Sequence, residues 1–85
     1  MAGTNFQLFI SEEALEQIRA LPKVLRQRIG SHLSVLENSF TGDIKKLSGA
    51  ENKYRLRVGN YRVLFRLDGN RIQVYSVRDR KDAYE

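Results

Sequence analysis

The stretch KYRLRVGNYRVLFRLDGN, residues 53–70, decides the fold. Its apolar residues fall at every second position, which is the period of a strand and not of a helix. Over Lys53–Val58, Tyr54, Leu56 and Val58 occupy one face while Arg55 and Arg57 occupy the other. Gly59-Asn60 reads as a two-residue hairpin turn, because both residue types tolerate positive φ. A second strand is expected over 61–67, a turn at Asp68-Gly69-Asn70, and a further strand over 71–78 with Ile72 and Val74 on the core side.

The turn fixes a register with consequences. Val58 then pairs with Tyr61, so Arg57 lies directly opposite Arg62; Arg55 stands on the same face opposite Leu64, with Arg66 beyond. Like charges placed opposite one another weaken a sheet, on the scale of roughly 0.2–1 kcal/mol per cross-strand pair. Threonine, glutamine or a Glu/Arg pair would serve the sheet better, and a bound polyanion would account for the arginines. The plain alternative is that long arginine stems lie over apolar residues such as Leu64 and Tyr75 with their charged heads in water. The cluster depends on register, since a slip of one residue would scatter it.

Upstream of this stretch, Phe6, Leu8 and Ile10 alternate with Gln7 and Phe9, the pattern of a short strand. Ser11 is positioned as an N-cap, with Glu12 and Glu13 in the first turn. Ala14, Leu15, Ile18 and Leu21 continue at helical spacing until Pro22 breaks the helix; Leu25, Ile29, Leu33 and Leu36 carry a second helix to about Asn38. Residues 39–52 read as a loop. The expected fold is α+β, in the order β-α-α-β-β-β, with an antiparallel meander sheet and an N-terminal helical hairpin on one face. One domain over residues 1–85 is expected.

Charge is distributed unevenly. Residues 1–42 carry four basic and four acidic side chains, and residues 43–85 carry eleven basic and six acidic, so the second half holds the entire net charge of +5. Such asymmetry points to a nucleic acid or an acidic protein as partner, or to a solvated basic face. There are ten arginines and five lysines, and the planar arginine fork suits phosphate. With no cysteine, disulfides and thiolate metal sites are excluded. The N-terminus has neither the basic nor the apolar region of a signal peptide, and no apolar run approaches the roughly 20 residues of a membrane span. A cytoplasmic protein is expected.

Other chemistry is thinly supplied. His32, the single histidine, reads as a satisfied or solvated helix residue. No carboxylate pair falls on the basic face, which argues against a glycosidase or a two-metal nuclease. Lys45-Lys46-Leu47-Ser48-Gly49 is not a Walker-type loop and reads as a basic segment beside the sheet. The tail, residues 77–85, is charged and ends in an aromatic. Arg78 closes the last strand near the Gly59 end, where it joins Arg57 and Arg62. Tyr84 suits base stacking or a place near phosphate.

Four segments together resemble the RelE/ParE superfamily of toxin–antitoxin toxins: SEEALEQIRALP (11–22), IKKLSG (44–49), YRLRVGNYRVLFRLDGNRIQVYSV (54–77) and RKDAY (80–84). The resemblance implies a toxin of a type II system. In its RelE branch it implies a ribosome-dependent, metal-independent endoribonuclease that cuts mRNA in the A site by attack of a ribose 2′-hydroxyl on the adjacent phosphate. It implies no cofactor and no metal. The implied catalytic residues are Arg55, Arg57, Arg62, Arg78 and Tyr84, with Arg80 neighbouring Arg78. Lys45, Lys46, Lys53, Arg66, Arg80 and Lys81 are expected to bind RNA. The implied partners are a cognate acidic or amphipathic antitoxin, the ribosome and mRNA, with operator DNA reached only through the toxin–antitoxin complex, and no membrane. One departure stands out: the best-known RelE-type site has lysines where this chain has Arg55 and Arg57. An arginine holds its proton and makes a poor general base, which leaves Tyr84 as the candidate base. The alternatives are a ParE-like DNA gyrase inhibitor without RNase activity, and a non-catalytic module that binds RNA or an antitoxin.

Overall fold

The computed structural model describes residues 6–47, 49 and 52–79. Along the chain run β1 (Gln7–Ile10), α1 (Glu12–Arg19), α2 (Lys23–Ser39), β2 (Ile44–Lys46), β3 (Lys53–Val58), β4 (Tyr61–Asp68) and β5 (Arg71–Asp79). Ser11 caps α1, its Oγ accepting the Ala14 N–H at 3.1 Å. Pro22 takes the N-cap position of α2, where its missing N–H costs nothing. At the other end of α2, Phe40 adopts a left-handed conformation, φ 51° and ψ 48°, unusual for a bulky residue. Ring contacts compensate: the half-buried Phe40 packs against Phe6, Tyr54 and Phe65 at centroid distances of 5.2, 6.1 and 6.0 Å.

The strands form one five-stranded sheet in the order β1-β5-β4-β3-β2. The α+β class holds, and both helices contribute to a core on one face of the sheet. Ala14, Ile29, Leu33 and Leu36 from the helices meet Leu56, Val58, Val63, Phe65, Ile72, Val74 and Val77 from the strands. Two features differ from the sequence expectation. First, the sheet is mixed, because β1 pairs with β5 in parallel while the other pairs are antiparallel. Second, the segment read as a loop contains β2, where Ile44, Lys45 and Lys46 pair with Leu56, Arg55 and Tyr54. The approach to β2 is tight: a Cβ on Gly42, at φ 143°, would stand 2.9 Å from Leu56 Cδ1. Where β1 ends, α1 protects the remaining edge of β5, and Gln17 Oε1 accepts the Val77 N–H at 2.6 Å.

Both hairpins form as the turn residues dictate. At the first, Gly59 has φ 61°, whereas Asn60 is not left-handed. One positive φ at the first central residue is the pattern of a type II′ turn. The register follows: Val58 faces Tyr61, Arg57 faces Arg62, Arg55 faces Leu64, and Lys53 faces Arg66.

Candidate nucleic-acid interface

The face of the sheet turned away from the helices carries the basic side chains in three rows. Nearest the Gly59 turn, Arg57, Arg62 and Arg78 stand in line across β3, β4 and β5. The next row is Lys45, Arg55, Leu64 and Ser76, and the third is Lys53, Arg66, Gln73 and Phe9. At about 3.3 Å per residue, successive rows lie roughly 7 Å apart.

A β-bulge creates the first row. Counted from the Gly69-Asn70 turn, Asp68 pairs with Arg71 and Phe65 with Val74; an unbroken ladder would continue to Leu64 with Tyr75 and Arg62 with Val77. Instead β5 shifts between Leu64 and Phe65, so that Leu64 meets Ser76 and Arg62 meets Arg78. The extra residue exchanges the faces of everything beyond it. Val77 turns into the core, where it is 7% exposed, and Arg78 turns out to join Arg57 and Arg62. Without the bulge the two would trade places.

Neighbouring groups hold the arginines in position. Arg78 Nε donates to Ser76 Oγ at 3.2 Å, and Ser76 is itself buried. Arg55 is largely buried; its Nη1 stands 3.9 Å from Asp43 Oδ1 and has no hydrogen-bond partner. Asp43 also accepts the Arg57 N–H through its backbone oxygen at 3.0 Å. Leu64 is 1% exposed although it lies outside the main core; its pairing partners on this face are Arg55 and Ser76. Apolar contact with arginine stems and a concentration of positive charge therefore coexist here.

Most of the expected residues converge. Arg55, Arg57, Arg62 and Arg78 share this face with Lys45, Lys53 and Arg66. Lys46 does not: it pairs with Tyr54, a core-face position, and points to the other side of the sheet edge. Arg80, Lys81 and Tyr84 lie outside the described residues. His32 is satisfied, its Nδ1 bonded to the Arg28 carbonyl at 2.9 Å. Sequence reasoning did not single out Asp43, Ser76 or Arg28. Arg28 reaches the hairpin tip from α2, with Nη1 3.6 Å from where a Cβ on Gly59 would stand. Its signal was hidden because helix and turn are far apart in sequence; Ser76 was hidden by the bulge.

Known proteins share both this sheet and its sequence. Residues 8–84 match the family described as ParE toxin of type II toxin–antitoxin system, parDE. Toxin RelE3 of Methanocaldococcus jannaschii is 31% identical over 84 residues, covering 93% of this chain and 96% of the relative. Among solved structures, the RelB–RelE antitoxin–toxin complex from Methanococcus jannaschii superposes with a TM-score of 0.77 at 29% identity, covering 91% of this chain and 99% of that one. The intact E. coli RelBE toxin–antitoxin complex gives a TM-score of 0.73 at 25% identity, covering 94% and 99%. Fold and sequence thus agree on a class, the toxins of type II toxin–antitoxin systems. Within that class, this chain belongs to the RelE/ParE family.

Proposed function

We propose that this toxin is a ribosome-dependent endoribonuclease that cleaves mRNA in the A site without a metal ion and so inhibits translation. The observation that carries the reading is the row Arg57–Arg62–Arg78, three guanidinium groups brought together by register and bulge on one open face. In the reaction the 2′-oxygen bonds to the adjacent phosphorus while the bond from phosphorus to the 5′-oxygen breaks. The 2′-hydroxyl loses its proton to a base and the departing 5′-oxygen gains one. Negative charge grows on the phosphate oxygens as the attack proceeds, and fixed cations aimed at them lower the barrier. Arg57, Arg62 and Arg78 supply those cations, with Arg55 behind them. Tyr84 is assigned the proton transfer, because arginine is a poor base. Lys45, Lys53 and Arg66 would carry the flanking RNA backbone, with Arg80 and Lys81 contributing from the tail.

A cognate antitoxin is proposed as partner, since two structurally similar toxins are known in complex with theirs. An acidic or amphipathic segment laid over the arginine face would block it. The cytoplasm, where ribosomes meet mRNA, is the proposed site of action; no described helix is long and apolar enough to cross a membrane.

Cleavage of A-site mRNA on programmed ribosomes kept in Mg2+, with the chemistry of the new RNA ends determined, tests this function. Cleavage that leaves a 2′,3′-cyclic phosphate and a 5′-hydroxyl, and that is lost in Arg62→Ala, is the expected result. A 3′-hydroxyl and a 5′-phosphate, the products of attack by a metal-activated water, would overturn the 2′-hydroxyl mechanism. The family's ParE description favours a second reading, inhibition of DNA gyrase. Intact RNA together with reduced gyrase supercoiling would establish that reading instead.

A further inference from the structure

The third row of the basic face differs in kind from the first. Phe9 is 48% exposed, while its neighbours Leu8 and Ile10 pack against the core. Phe9 pairs with Gln73, Gln73 with Arg66, and Arg66 with Lys53. Tyr75, the residue added by the bulge, lies over this row, with Lys53 Nζ 5.7 Å from its ring centroid. Together these side chains line an open cavity of about 560 Å³.

Stability explains the Lys53–Tyr75 contact and little else here. An aromatic ring left half in water gains little, and Lys53 opposite Arg66 repeats the like-charge pairing of the first row. The combination of an exposed ring, flanking cations and an amide is the composition of a stacking platform for single-stranded nucleic acid. The volume falls in the range of small-ligand pockets, roughly 300–1,000 Å³, and suits one base better than the long groove a partner helix requires. From Arg62 the platform lies about 13 Å along the strands and about 10 Å across them. A strand of RNA with one phosphate on the arginine row reaches it a few nucleotides away.

We propose that this cavity is a base-stacking subsite for single-stranded RNA, separate from the arginine row: one unpaired base lies on Phe9 between Lys53 and Arg66, and the Gln73 amide faces its edge. The subsite gives the toxin a preference for the base held there, and it rests on the RNA-cleaving reading of the same face.

The test uses the full-length toxin and uncleavable 2′-O-methyl RNA hexamers, each carrying one 2-aminopurine. Wild type quenches the fluorophore at one position. Phe9→Ala abolishes the quenching and weakens binding about tenfold, within the range for loss of one stacked base, and it leaves the salt slope unchanged. Phe9→Trp restores both. Arg66→Ala weakens binding and lowers the slope by about 0.7, the share of one phosphate contact on a single strand. Gln73→Ala flattens the preference among bases at the quenched position. Quenching and affinity unchanged in a folded Phe9→Ala would overturn the proposal. So would a wild type that quenches no position while its antitoxin shields the cavity, which would make it a protein-docking site. Binding to uncleavable RNA does not need catalysis. A Phe9-dependent stack without A-site cleavage therefore sinks the nuclease reading alone, and cleavage with no Phe9-dependent stack sinks the subsite alone.

Discussion

The two faces of this sheet are built from the same strands to opposite rules. On the helix side Leu56, Val58, Val63 and Phe65 are at most 1% exposed. On the other side, one residue away along the same backbone, stand Arg55, Arg57, Arg62 and Arg66. The first face lowers the free energy of the fold by removing apolar surface from water. The second raises it by crowding like charges. Stability and ligand recognition are thus separated by direction and not by position in the chain, and substitutions at adjacent residues should have unrelated consequences.

The strongest way to break this division is to move a side chain of the second face onto the first, as in Val63→Arg at a position that is 0% exposed. A guanidinium forced into an apolar core is among the costliest of burials, so the variant is expected to lack a cooperative unfolding transition by circular dichroism. Next comes Phe65→Ala on the core face. It should cost about 3–5 kcal/mol in urea denaturation, a large share of the roughly 4–13 kcal/mol available to a domain of this size. Arg62→Ala on the opposite face should move the urea midpoint far less than Phe65→Ala does, while A-site cleavage falls about 10²- to 10³-fold, as on loss of one charge-stabilising donor. The smallest effect sharpens the comparison most. Arg57→Thr relieves the pairing with Arg62 and should stabilise the fold by roughly 0.2–1 kcal/mol while reducing cleavage. Reduced stability in that variant would mean that the arginine stem contributes packing that outweighs the repulsion.

Much of this division was legible in the sequence, and the losses have physical causes. Strict alternation over Lys53–Val58 and a glycine at the turn fixed the β3–β4 register, and with it the opposition of Arg57 and Arg62. Strand β2 escaped because Ile44-Lys45-Lys46 is short and two-thirds lysine; it is a strand only because β3 offers it a partner. The parallel docking of β1 on β5 leaves no periodic trace, since alternation records faces and not neighbours. Arg78 was placed correctly by its position at the end of the strand, yet counting from Gly69-Asn70 alone would have buried it. The shift that exposes it is a property of the ladder as a whole. Asp43 sat in the apparent loop, and nothing local announced that its carboxylate would stand near Arg55.

Strand β1 is made first and placed last. Its hydrogen-bonding partner is the run 71–74, so the edge strand waits until β5 has been made for the surface on which it docks. The arginine row is also complete only with Arg78. A chain that stops short of β5 has neither a closed sheet nor three cations in line. For a protein whose proposed target is the ribosome, this order of assembly acts as a safeguard in time: harmful chemistry becomes possible only after β5 has left the synthesising ribosome and joined the sheet.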